Sequence, residues 1–133
     1  MRYLFLLAVA GLAACAANQR PYAPVENVRY SALGQNPFWM VTIGDDRIVL
    51  TMSPDPGARA SQLNSYSWPR TLPRTQDGVQ RWESSSGTSA ITVEAMEGPC
   101  EASRAQFRDR VRVRLNDRQL ECCGGPRVGP ASG

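Results

Sequence analysis

The stretch "RDRVRVRLNDRQLEC", Arg108–Cys122, decides the architecture. Val111, Val113 and Leu115 take every second position, and Arg110, Arg112 and Arg114 take the positions between. Successive side chains of an extended chain point to opposite faces, so this is a half-buried strand with an apolar and a charged face. Asn116-Asp117 then supplies a two-residue turn that tolerates positive φ, and Arg118–Cys123 returns beside it.

Upstream the same grammar repeats. Val28–Leu33 alternates, and Pro37–Ile43 is dense in β-branched and aromatic residues. The turn signal Gly44-Asp45-Asp46 leads into Arg47–Met52, which makes a second hairpin. Ser53–Ala60, with two prolines and a glycine, is a loop. Ser65–Leu72 reads as an edge strand, because Pro69 cannot donate to a ladder. Gln76-Asp77-Gly78 turns into Val79–Ser84, and a Ser84–Gly87 turn leads to a strand over Thr88–Met96. Only Cys100–Phe107 suggests a helical turn. Short strands at this spacing predict an all-β domain, a small antiparallel barrel or sandwich, over residues 28–125, with a disordered tail over 126–133.

The N-terminus has a different character. Arg2 precedes an apolar run from Tyr3 to Leu12 and then small residues, the pattern of a secretory signal and too short for a spanning helix. Leu12-Ala13-Ala14-Cys15 resembles the lipobox of bacterial lipoproteins. That resemblance implies a signal peptide over 1–14, removed by cleavage, and a Cys15 that carries a diacylglyceryl thioether and an acylated amine. Two or three acyl chains, each contributing roughly 0.8 kcal/mol per buried methylene, anchor a protein durably. Ala16, in place of Asp, implies sorting to the periplasmic face of the outer membrane. Residues 16–27, "AANQRPYAPVEN", complete a flexible tether over 15–27.

An oxidising compartment changes the meaning of the remaining cysteines, Cys100, Cys122 and Cys123. Histidine is absent and no CxxC pair occurs, so no metal site is expected. A disulfide from Cys100 to one of the vicinal pair is expected instead, with one thiol left over. That thiol could exchange with the bridge as a redox switch, but a buried, inert cysteine is the commoner case. The 15 basic residues, all arginine, against 12 acids nearly balance, and nothing in them points to nucleic acid.

From Ala32 to Trp39, "ALGQNPFW", the chain resembles a group of small bacterial envelope lipoproteins. Their domains open on Gly-x-x-Pro-Phe-Trp and close with a cysteine, a polar loop, a strand and a Leu-x-Gly-Cys ending. Gly34, Pro37, Phe38 and Trp39 match the opening, Cys100 the middle cysteine, and "LECC" the ending with Cys123 in the cysteine position. The resemblance implies a Cys100–Cys123 bridge. Alternation, which puts Cys122 on the face of Leu120, favours Cys122 as the alternative partner. Where the group carries an Asp-Gly-Met type loop, this chain reads Glu101-Ala102-Ser103-Arg104, and no activity is implied.

Two further clusters are candidate sites. Trp39 shares a strand face with Val41 and Ile43 and is expected in the core with Phe38; Trp68 and Trp82 fit core or groove equally. Arg110, Arg112 and Arg114 would project from one face at about 6.6 Å intervals, extended by Arg108 and Arg118. Such a ladder could grip lipopolysaccharide phosphates or peptidoglycan carboxylates through bidentate contacts. Equally, it could be a solvated face that blocks edge pairing, partly neutralised by Glu83, Glu94 or Glu121. No catalytic residues and no cofactor are expected: there is no histidine base, no lysine, no Gly-x-Ser-x-Gly elbow and no phosphate loop. The sequence thus predicts a non-catalytic lipoprotein, anchored in the membrane through Cys15, that binds an anionic envelope component. The alternative is a module that binds a periplasmic protein, for example an inhibitor of a cell-wall-degrading enzyme acting through Ser53–Leu63; a hydrolase is the third reading.

Overall fold

The computed structural model describes residues 25–35, 37–53 and 63–130. The expected signal peptide over 1–14, Cys15, the expected tether before Val25, most of the Ser53–Leu63 loop and the last three residues lie outside these.

The described residues form nine antiparallel strands and no helix. They are β1 (Tyr30–Gly34), β2 (Trp39–Ile43), β3 (Arg47–Met52), β4 (Asn64–Pro69), β5 (Arg74–Gln76), β6 (Val79–Ser86), β7 (Ser89–Ala102), β8 (Ala105–Leu115) and β9 (Arg118–Pro130). The spatial order is β4-β3-β2-β1-β9-β8-β7-β6-β5, one sheet curled into a half-barrel. The all-β expectation holds.

Alternation carries the core. Trp39, Val41 and Ile43 of β2, Ile48, Leu50 and Met52 of β3, Ile91 and Val93 of β7, and Val113 of β8 all point inward and are buried. Each fully buried aliphatic side chain contributes about 1.5–3 kcal/mol relative to exposure. Trp68 and Trp82 are core residues too, which settles the even choice that their own sequence left.

Two long-range joints close the curl. β1 meets β9 through only Ala32↔Gly124 and Leu33↔Cys123. A Cβ on Gly124 would lie 2.7 Å from Ala32 Cβ and 2.7 Å from Val111 Cγ2, so only glycine lets these strands approach. On the other side β4 reaches β6 and the start of β7 through side chains. Ser84 Oγ donates to the Pro69 carbonyl at 2.6 Å, and the Trp68 indole N–H donates to Ser89 Oγ at 3.2 Å. β4 is an edge strand, as Pro69 suggested.

Four expectations are corrected. Cys100–Phe107 is no helical turn: β7 and β8 run through it, joined by Ser103 (φ 50°) and Arg104 (φ 63°). Two consecutive left-handed residues make a tight hairpin turn and cannot continue a right-handed helix. The tail is not free from residue 126, since β9 pairs with β8 as far as Ala105↔Pro130. Residues 25–27 belong to the domain and not to a tether. The backbone N–H of Glu26 donates to Asp46 Oδ1 at 2.9 Å, its carbonyl accepts from Asp45 N–H at 2.7 Å, and Asn27 Nδ2 donates to Asp45 Oδ2 at 2.9 Å. The turn between β6 and β7 falls at Gly87-Thr88 and not at Ser84–Gly87, and the short edge strand β5 had no counterpart in the sequence reading.

Candidate functional site

The arginine ladder exists, but it is not a purely cationic strip. Arg110, Arg112 and Arg114 are exposed on the outer face of β8, opposite Met96, Glu94 and Thr92 of β7 and Cys123, Glu121 and Gln119 of β9. Arg112 lies 3.9 Å from Glu94 Oε1 and 3.5 Å from Glu121 Oε2. Glu94 also accepts two N–H bonds from Arg81, at 2.6 and 3.0 Å. Arg110 donates through Nε to the Pro99 carbonyl at 3.4 Å. A cleft of about 440 Å³ beside the ladder is lined by both signs, Arg110 and Arg112 with Glu94 and Glu121. Exposed pairs of this kind contribute about 0–1 kcal/mol each and leave little net field for an anion.

Arg108 leaves the ladder. Register shifts between Gln106, Phe107 and Asp109 make a bulge at this point, and such an irregularity re-aims a side chain. Asp109, two residues before Val111, takes the inward position and is only 3% exposed. Tyr30 Oη donates to its Oδ2 at 2.7 Å, and Arg108 adds two N–H bonds at 2.8 and 3.0 Å. Burial pushes the Asp109 carboxyl up, but the Arg108 and Tyr30 hydrogen bonds outweigh it and leave the group below the ordinary carboxylate range. Tyr30 is raised by burial first and by its bond to Asp109 second, so it stays a neutral donor.

Beside this network, at the open end of the curl, lies a cavity of about 400 Å³. Arg29 ahead of β1, Arg70 and Thr71 after β4, Gln80 of β6 and Arg108 of β8 line it, over the Tyr30–Trp82 pair whose rings lie 4.8 Å apart. Among the described residues, its lining carries three guanidinia and no carboxylate. Just outside, Asp45 accepts two N–H bonds from Arg29 at 2.7 and 2.9 Å and lies 3.9 Å from Arg70. The Arg29 and Asn27 bonds hold its carboxyl down to about 2. A guanidinium has five N–H donors, and Arg29 gives two of them to Asp45, so three remain for a ligand. Thr71, in the wall of the cavity, has its Oγ1 buried with no hydrogen-bond partner among the described residues. The three arginines come from segments 29, 70 and 108, too far apart in the chain for spacing to reveal them. Asp109 alone left a trace, as an acid at an inward position.

The sulfurs form the third cluster. Cys100 and Cys123 are bridged, with Cα atoms 5.5 Å apart. Their strands are not neighbours, and β7 and β9 in a flat sheet would be about 9.5 Å apart. The irregularity between Glu97 and Cys100 brings β7 over β8 to reach Cys123. Cys122 is a free, half-buried thiol packed against the core, as alternation with Leu120 implied, and burial pushes its pKa up.

The bridge is thus to Cys123, as the resemblance implied, and not to Cys122, the partner that alternation favoured. No family model, curated protein or solved structure matches the chain.

Proposed function

We propose that this chain is a lipid-anchored envelope lipoprotein, tethered through Cys15 at the periplasmic face of the outer membrane, that binds an anionic envelope component without catalysing a reaction. The observation that carries the binding reading is the cavity lined by Arg29, Arg70 and Arg108, with no carboxylate in its walls among the described residues. Guanidinia present paired donors that match the oxygens of phosphate or carboxylate. Lipopolysaccharide phosphates and peptidoglycan peptide carboxylates are the envelope groups with this chemistry. Arg29, at the mouth of this cavity, immediately precedes β1.

A non-catalytic role agrees with the acids nearby. Asp45 and Asp109 are both held ionised by guanidinia, and a carboxylate with a depressed pKa is a weak general base. The test is retention of the protein on immobilised lipopolysaccharide and peptidoglycan across a salt series. Arg29→Gln with Arg70→Gln should weaken retention at least tenfold, about 1.4 kcal/mol, while Arg110→Gln with Arg114→Gln changes it little. Equal, salt-insensitive retention of all variants would reject the mouth as the site. Mass spectrometry of the native protein that finds Cys15 unmodified would reject the anchor.

A further inference from the structure

Cys122 sits against a bridge to which it does not belong. Its Sγ is 3.5 Å from Cys123 Sγ, and the three sulfurs of Cys100, Cys122 and Cys123 all lie within 4.8 Å of one another. Cys100 Sγ also lies 3.3 Å from the Cys122 carbonyl oxygen. Cys100 and Cys122 both line the open cleft beside Arg110 and Arg112, so a small thiol in solution can reach the bridge from there.

We propose that this three-sulfur cluster is a thiol–disulfide exchange site in which the bridge migrates between Cys123 and Cys122, with Cys100 as the shared partner. A small thiol attacks Cys100 Sγ from the cleft. The Cys100–Cys123 bond breaks as a mixed disulfide forms on Cys100, and Cys123 leaves as a thiolate. The Cys122 thiolate then attacks Cys100 Sγ, the Cys100–Cys122 bond forms, and the small thiol is released, with protons exchanged through solvent. There is no net oxidation, so no oxidant is needed.

The two bridges close loops of 23 and 22 residues, so chain entropy barely distinguishes them. They differ in where they hold β9. Cys123 pairs with Leu33 and is one of only two residues that join β9 to β1, whereas Cys122 lies one position back, opposite Val111. Migration therefore moves the covalent tie off the narrowest joint of the sheet.

The experiment uses the full chain, incubated with a reduced and oxidised glutathione mixture, quenched in acid, alkylated and digested with trypsin. Cleavage after arginine puts Cys100 on the 82–104 peptide and the vicinal pair on 119–127, where fragment ions tell Cys122 from Cys123. Within these two peptides, the label without glutathione should lie on Cys122 alone. After incubation it should divide between Cys122 and Cys123, within about a factor of ten given the near-equal loops, with the two peptides still linked. Label confined to Cys122 in the linked product overturns the proposal. In a second arm, Cys123→Ser should form the Cys100–Cys122 bridge in the same buffer, two hydrogens lighter than the dithiol. Persistence of both thiols there overturns it as well.

Discussion

Replacing Tyr30 by phenylalanine isolates one interaction that ties β1 to β8 across the intervening β9. The ring is retained, and with it the contact to Trp82 at 4.8 Å. What is lost is the hydroxyl that donates at 2.7 Å to Asp109, a carboxylate 3% exposed. A hydrogen bond to a charged group contributes about 1.5–3 kcal/mol, because its loss leaves a desolvated acceptor short of one partner. Taking about 2 kcal/mol for a domain of roughly 100 residues, Tm should fall by roughly 8–16 °C. Removing this donor also raises the Asp109 pKa, so the acid limb of unfolding should move to higher pH. The assay is thermal and urea unfolding of wild type, Tyr30→Phe, Asp109→Asn and the double variant. Coupling between the two positions should account for most of the single-variant loss. A Tm within about 2 °C of wild type, or strictly additive losses, would refute the account of this network.

Further outcomes follow from the same geometry. Cys100→Ser removes the cross-link over 23 residues and should cost about 3 kcal/mol; its urea midpoint should then ignore reductant, whereas that of wild type should fall with it. Leu50→Ala, at a position with no exposure, should cost about 2–5 kcal/mol, while Arg114→Ala on the outer face should stay within about 0.5 kcal/mol, both read by urea unfolding. Gly124→Val forces a side chain into the 2.7 Å gap against Ala32 and Val111 and should cost at least about 1–3 kcal/mol, with amide exchange in β1 rising first. Asp45 is held down to about 2 from an ordinary value of 3.8, so its clamp on Arg29 is complete above about pH 4 and is lost as pH falls toward 2. Carboxyl chemical shifts of Asp45 should show that titration, and Arg29→Gln should move its midpoint upward.

What the linear chain determined is what a two-residue period and local turn chemistry can carry. Val111, Val113 and Leu115 faced inward because alternation leaves an extended chain no other choice, and Asn116 adopts the left-handed φ of 54° that its turn required. The hairpins β2–β3 and β8–β9 join neighbours in sequence, so their pairing cost little loop entropy and was legible. The helical turn over Cys100–Phe107 was misread because "EASR" favours a helix locally, while the long ladders on either side of Ser103-Arg104 override that preference.

Contacts between distant segments were decided only in three dimensions. The β1–β9 joint, the Pro69–Ser84 seam and the meeting of Arg29, Arg70 and Arg108 depend on how far nine twisted strands curl, which no window of sequence encodes. The choice between Cys122 and Cys123 had the same origin. Alternation assigned each cysteine a face, but the bulge before Cys100 determined which face β7 crossed to reach. Faces follow from the pleat of a single strand, whereas partners follow from the summed twist of all of them.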